Sequence, residues 1–312
     1  MSDIRFTLGV IGLGLIGGSL ALDLKRRGFA RTVLGVEKDP VAAQAALTIG
    51  LVDEIVPFET CVERADIIVV AVPVGTAVKM VPDILDRIQG RAEALSSASL
   101  RDPVRANAPE SASVLPDNQI VIDVCSTKSQ ICHAVKYHPG RKQFVSTHPM
   151  AGTEYSGPWA AQPGLFDGRA CIFADVEESA PKAVKTIEEM YAVLNMRPLY
   201  MNADQHDVHT AYVSHISHVT SFALALTVLD KEKDEKHIFD LASGGFASTV
   251  RLAKSNSEMW VPILTQNHDN VLRVMDTYID KMQQFREAIA SYDEQRIREL
   301  IQEANRIKKI IR

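Results

Sequence analysis

The chain has 312 residues, 46% apolar and 23% charged. That balance suits a soluble globular enzyme, and the length exceeds one ordinary compact core, so two domains are expected. Its 34 basic residues are dispersed and outnumbered by 39 acidic ones, for a formal charge of −5, which argues against nucleic acid or an anionic membrane as partner. Four cysteines (Cys61, Cys125, Cys132, Cys171) form no Cys-x-x-Cys pair, so reduced thiols in a cytoplasmic protein are the simplest reading.

Phe6–Leu22 carries no charge, but it contains five glycines, is short for a membrane span and follows Asp3 and Arg5, unlike a signal sequence. Phe6–Ile11 reads instead as a strand, Ile16–Arg27 as a helix, Thr32–Glu37 as a strand and Val41–Ile49 as a helix. Asp66–Val72, Gln119–Asp123, Phe144–Thr147 and Ala170–Ala174 add apolar, β-branched runs of the kind buried on both faces of a parallel sheet. This alternation predicts an α/β fold, doubly wound and Rossmann-type, over residues 1–200. Residues 91–117 are rich in Ala, Ser and Pro and poor in large apolar side chains, and read as an exposed, mobile insertion.

From about Ala203 the strand signal stops, and an all-helical domain is expected over 201–312. Asp204–Leu229, Met259–Ile289 and Glu294–Ile311 read as long helices. Along the second, Trp260, Leu264, Asn267, Val271, Val274, Tyr278, Met282 and Phe285 recur every three or four residues, one apolar stripe too long to hide in so small a domain. Helix-to-helix homodimerisation is the expectation.

The strongest local signal is Gly12-Leu13-Gly14-Leu15-Ile16-Gly17, directly after a strand and opening a helix. Its glycines permit a tight turn, close approach of a pyrophosphate and close helix–strand packing, while the first helical amides at Leu15 and Ile16 attract the phosphate charge. The second strand ends in Glu37, twenty residues past Gly17, where a carboxylate receives ribose hydroxyls and repels a 2′-phosphate; NAD is therefore preferred to NADP. Val72-Pro73 closes the next strand at the same rim.

Two further strand ends are densely polar: Asp123-Val124-Cys125-Ser126-Thr127-Lys128, and His148-Pro149-Met150-Ala151-Gly152-Thr153-Glu154. Both open onto the crevice expected for the nicotinamide. Ser126 also reads as a helix N-cap. In the helical half, Ser214 and His218 share one helix face with His215 beside them, and Arg251, between a glycine turn and Trp260, reads as a carboxylate clamp. His206, His209, His215 and His218 have zinc-like spacing, but neither a cysteine nor an HExxH-like glutamate accompanies them, and no metal is expected.

The ordered set GLGLIGGSLA (12–21), DVCSTK (123–128), HPMAGTEYSG (148–157), LFDGR (165–169), HDVHTAYVSHISH (206–218) and GGF…R…MW (244–260) resembles the prephenate/arogenate (cyclohexadienyl) dehydrogenases of tyrosine biosynthesis across nearly the whole chain. The chain departs at Ser217, where that family commonly has proline. The resemblance implies oxidative decarboxylation of prephenate to 4-hydroxyphenylpyruvate, or of arogenate, with NAD, by a cytoplasmic homodimer. It implies His148 as base, Ser126 as its partner at the substrate hydroxyl, and Arg251 at the ring carboxylate. Ser214, His215 and His218 would line the pocket, Trp260 would reach in from a partner subunit, and Glu154 would pair with Arg251 when substrate is absent. No chorismate mutase or ACT-type segment is expected. Two other readings are a β-hydroxyacid dehydrogenase, which would use a lysine from the helical domain, and a non-catalytic NAD sensor, which would tolerate loss of His148.

Overall fold

The computed structural model describes residues 6–101, 118–234 and 237–310, with the backbone alone for 95–101 and 234. Eight strands form one sheet: β1 Phe6–Ile11, β2 Ala30–Val36, β3 Glu54–Ile55, β4 Ile67–Val70, β5 Ile120–Asp123, β6 Phe144–Pro149, β7 Ala170–Ala174 and β8 Arg197–Met201. Their spatial order is β3-β2-β1-β4-β5-β6-β7-β8, parallel throughout except where β7 runs antiparallel to β6. This is the doubly wound arrangement expected.

Alternation along the central strands builds a core on each face. Leu8, Val10, Ile67, Val69, Ile120 and Ile122 face one layer, with helices α1 (Leu15–Arg26) and α6 (Pro181–Val193). Ile11, Ile68, Val70 and Val121 face the other, against α3 (Phe58–Arg64), α4 (Val74–Arg101) and α5 (Ser129–Val135). The shorter α2 (Pro40–Thr48) begins with Pro40 after the Asp39 cap, whose side chain accepts from the Val41 amide.

The helical half comprises α7 (Ala203–Thr210), a π turn at Ala211–His215, α8 (Ile216–Asp234), α9 (Gly244–Thr249), a 3-10 turn at Arg251–Lys254, α10 (Ser257–Gln266), α11 (His268–Ala290) and α12 (Glu294–Ala304). The helix anticipated over Met259–Ile289 is thus two, parted at Asn267, whose side chain is drawn into polar contacts instead of continuing the stripe. Trp260, Val271 and Val274 of that stripe are buried, whereas Tyr278 and Met282 are 43% and 53% exposed.

Of the anticipated insertion, residues 91–101 continue α4, and the rest, 102–117, lies outside the described residues. The two-residue β3 and the edge strand β8 went unanticipated, the latter because four of its five residues are exposed and lack a buried strand's apolar run. Finally, Ser126 does not cap α5; the free amides of Lys128 and Ser129 go to the Asp207 carboxylate.

Candidate active site

Five parallel strands, β1, β2, β4, β5 and β6, present their carboxyl ends to one rim of the sheet, and each end carries a candidate group. After β1, Gly12 takes φ +94°, and a Cβ there would lie 2.5 Å from the Ala71 carbonyl oxygen. Gly17 would place a Cβ 2.0 Å from the Gly12 oxygen, so its bare backbone lets α1 start directly against the turn. Gly14 differs, because a Cβ there meets nothing within 4 Å. It precedes Leu15, Ile16 and the rest of a first turn with no side-chain cap and no acidic residue, leaving the opening amides available to an anion. Glu37, just past β2, accepts from the Leu13 amide (3.1 Å) and the Asp39 amide (3.2 Å), which fixes its carboxylate over the glycine turn. Val72-Pro73 follows β4 beside this turn; the side chain of Val72 is 3.1 Å from the position a Gly12 Cβ would take. Open space at Gly14, uncapped amides and a fixed carboxylate fit a dinucleotide.

His148 lies near the end of β6, held in antiparallel register with Ile172. Its Nδ1 is 2.8 Å from Nε2 of His206, and Nδ1 of His206 is 2.8 Å from Oδ1 of Asp207. Burial, reinforced by nearby His206, Lys128 and His215, holds the His148 imidazole well below its ordinary protonation range. Lys128 is itself fully buried, paired with Asp123 and donating to the Thr147 carbonyl at 2.7 Å. Burial opposes its charge, but the Asp123 carboxylate holds the ammonium protonated. Ser126 sits half-buried on the same loop, between the Asp123 strand end and Thr127, which is tied to Gln266 of α10 at 3.1 Å.

The helical domain closes the crevice from the other side. The π turn carries Ser214 and His215; its extra residue turns everything after it by roughly 100° relative to an unbroken α-helix. His215 is buried, and Asn267 donates from Nδ2 both to the Asp207 carbonyl (2.7 Å) and toward His215 Nδ1 (3.2 Å). Burial pushes His215 down to about 4, so it is neutral, with its remaining proton on Nε2. His218 Nδ1 contacts the Ser214 carbonyl at 3.1 Å, and its ring stacks on Trp260 with centroids 3.5 Å apart. Within its own chain Trp260 stands against this wall and packs with Ile263 onto the sheet's second core. Its Nε1 is a buried side-chain donor with no partner among the described residues.

Arg251, half exposed, pairs with Glu154 at 2.9 Å, so a guanidinium from the helices is tied to the loop that leaves His148. The turn holding Arg251 is anchored by Ser221 of α8, which donates to the Thr249 carbonyl at 3.0 Å, and the positive charge of Arg251 is felt at His218. His206 and Asp207, with Asn267, are the participants that sequence reasoning missed. His206 was weighed only as a zinc ligand, yet its two ring nitrogens face His148 and Asp207.

Comparison with known proteins agrees with this layout. Residues 20–112 and 101–199 match the family profile "Prephenate dehydrogenase, nucleotide-binding domain", and residues 202–303 match "Prephenate dehydrogenase, dimerization domain". The chain is 27% identical to the prephenate dehydrogenase of Bacillus subtilis over 94% of its own length and 72% of that protein. Its fold superposes on the crystal structure of Aquifex aeolicus prephenate dehydrogenase in complex with hydroxyphenyl propionate and NAD+ with a TM-score of 0.82, at 25% identity, covering the whole of both chains. Synechocystis arogenate dehydrogenase gives a TM-score of 0.70 at 26% identity over 97% of this chain and 99% of that one. With the profiles together matching well over half its residues, the chain belongs to the prephenate dehydrogenase family.

Proposed function

We infer that this protein is an NAD-dependent prephenate dehydrogenase, converting prephenate to 4-hydroxyphenylpyruvate and CO₂ in tyrosine biosynthesis. The observation that carries this reading is a neutral imidazole, His148, at a strand end of the dinucleotide domain, with Arg251 linked by Glu154 to the loop that follows it. Gly12, Gly14, Gly17, Leu15, Ile16 and Glu37, with Val72 and Pro73 flanking, would hold NAD+, which would supply the hydride acceptor. His148 accepts the proton of the substrate's C4 hydroxyl as the C4 hydrogen departs as hydride. Ser126 holds the same hydroxyl. The resulting dienone carboxylate loses CO₂, and the imidazolium returns its proton to the phenolate oxygen, so no net proton is consumed.

Arg251 orients the substrate by a charge-assisted contact to its carboxylate, displacing Glu154 from the guanidinium. Ser214, His215, His218 and Trp260 line the opposite wall. We place the division between the dinucleotide and helical domains at about residue 200, at the end of β8. The enzyme acts as a cytoplasmic homodimer, a second copy covering the exposed apolar residues Leu272, Tyr278, Ile279 and Met282. The run Ala203–Lys233 is long and apolar enough by composition to cross a membrane, but it carries His206, Asp207 and His215 with their polar partners, and a helical interface suits it better. A monomer mass by light scattering at micromolar concentration removes the dimer.

The test is NADH formation with prephenate and, separately, arogenate. The expected result is turnover of prephenate that falls by roughly 10²–10⁴-fold in kcat in His148→Asn while NAD+ binding persists. Failure of the wild-type protein to turn over either compound would sink the assignment.

A further inference from the structure

Asp207 makes more contacts than a helix cap requires. Oδ1 accepts from the Lys128 amide at 2.7 Å and faces His206 Nδ1 at 2.8 Å, while Oδ2 accepts from the Ser129 amide at 2.9 Å. The residue is buried, and its carbonyl is held separately by Asn267 Nδ2 at 2.7 Å. Each carboxylate oxygen thus faces a backbone donor that cannot become an acceptor, which keeps the group ionised and acceptor-only. Burial alone would raise its pKa; the contacts to His206, Ser129 and Lys128 outweigh that and lower it.

The remaining protons follow by elimination. His206 Nδ1 must donate to the carboxylate. Being neutral, His206 then has a lone pair on Nε2, so the 2.8 Å contact to His148 requires His148 Nδ1 to be the donor. Neutral His148 is left with its lone pair on Nε2.

We propose that Asp207, acting through His206, fixes the tautomers of two successive imidazoles so that His148 presents Nε2 as a proton acceptor to the substrate hydroxyl. Asp207 and His206 are positioning residues, one carboxylate and one imidazole longer than a simple His–Asp pair. The assignment of His148 as base, on which this rests, says which residue takes the proton; the chain of contacts says which nitrogen is ready to take it and why. When His148 becomes an imidazolium, the same Nδ1–H contact leads through His206 to the carboxylate charge, which stabilises it. The double role of Asp207 also ties base alignment to domain contact, because the carboxylate from α7 in the helical half caps α5 in the dinucleotide half.

The test combines ring-nitrogen NMR of the full-length enzyme with steady-state kinetics on prephenate and NAD+. In the wild type, the rings of His148 and His206 are expected to carry their protons on Nδ1. Asp207→Asn replaces one acceptor with a donor. Whichever amide atom faces His206, the carboxylate charge that stabilises the His148 imidazolium is lost, and with the NH₂ there both rings also switch tautomer and His148 loses its lone pair at Nε2; kcat is expected to fall roughly 10²-fold or more, with KM and NAD+ affinity changed less than about threefold. Should that variant fail to fold, His206 provides an independent pair. His206→Leu removes the acceptor, whereas His206→Gln offers an oxygen to His148 and an N–H to Asp207, and is expected to recover at least about tenfold of the kcat that leucine loses.

An Nε2 proton on His148 in the wild type, near-normal kcat in Asp207→Asn, or equal losses for the leucine and glutamine variants would each overturn the proposal. Full turnover by His148→Asn, with the wild-type ring still protonated at Nδ1, would instead remove His148 as base and leave the tautomer assignment standing.

Discussion

Replacing two glycines of the same turn should separate folding from cofactor binding. In Gly17→Ala the new methyl would lie 2.0 Å from the Gly12 oxygen, 2.9 Å from Ala71 Cβ and 3.1 Å from Val10 Cγ1. The nearest atom is backbone, so α1 must move away from β1, and overpacking of this kind costs about 2–3 kcal/mol. At about 2–4 °C per kcal/mol for a unit near 200 residues, Tm should drop by roughly 4–12 °C. In Gly14→Ala the methyl meets nothing within 4 Å, and the backbone (φ −76°, ψ −160°) is extended and open to any residue. The poorer helix cap, about 1 kcal/mol, is offset by the reduced freedom of the unfolded chain, about 0.4–1 kcal/mol, so Tm should stay within about 3 °C. The vacant space is where we propose that the pyrophosphate approaches. Pushing it off the helix amides forfeits up to about 2 kcal/mol, or a rise in Kd for NAD+ of roughly 10–30-fold. Scanning fluorimetry and calorimetric NAD+ titration read the two quantities. If Gly14→Ala bound NAD+ like the wild type, or Gly17→Ala melted normally, the reading of this turn would be wrong.

Arg251→Gln should raise KM for prephenate by roughly 10–100-fold with a smaller change in kcat, because a charge-assisted contact to the substrate carboxylate is lost; an unchanged KM counts against the clamp. Burial holds His148 neutral well below its ordinary range, so kcat/KM should persist as pH falls through 6.5 and decline only beneath it; half-loss at 6.5 or above contradicts this. Stability has the matching sign. His148, His206 and His215 all resist protonation in the fold but accept protons once unfolded, so stability should fall as pH drops below about 6.5, and for His215 down to about 4. Urea titrations from pH 7 to 5 check this, and a midpoint rising toward acid pH would refute it.

Much of this was legible in the sequence for a physical reason. Strands buried on both faces, such as Ile67–Val70, read as unbroken apolar runs, and the Gly12–Gly17 turn has local steric requirements that few alternatives satisfy. The Glu154–Arg251 pair was also anticipated, although 97 positions separate its members, because resemblance supplied what spacing lacked. Features set by tertiary contact stayed hidden. Asp207 looks like any polar helix residue until α5 is seen to begin against it, and His206 resembles half of a metal pair until His148 lies 2.8 Å away. The π turn, one residue longer than an α turn, leaves no periodic trace in so short a segment, yet it sets where His215 and His218 fall. Asn267 fitted the stripe by spacing, but its amide is taken by Asp207 and Asn270, and the helix breaks there.

In the proposed mechanism an imidazole from the sheet and a guanidinium from the helices meet on one ring beside the nicotinamide. A crystal structure of the enzyme with NAD+ and a 4-hydroxyphenyl carboxylate tests it most directly. His148 Nε2 should lie about 2.6–3.2 Å from the phenol oxygen in the same cavity that Arg251 faces, its link to Glu154 broken. Phenol and guanidinium in separate cavities, or a phenol oxygen approached by another base, would contradict the account while leaving the fold intact.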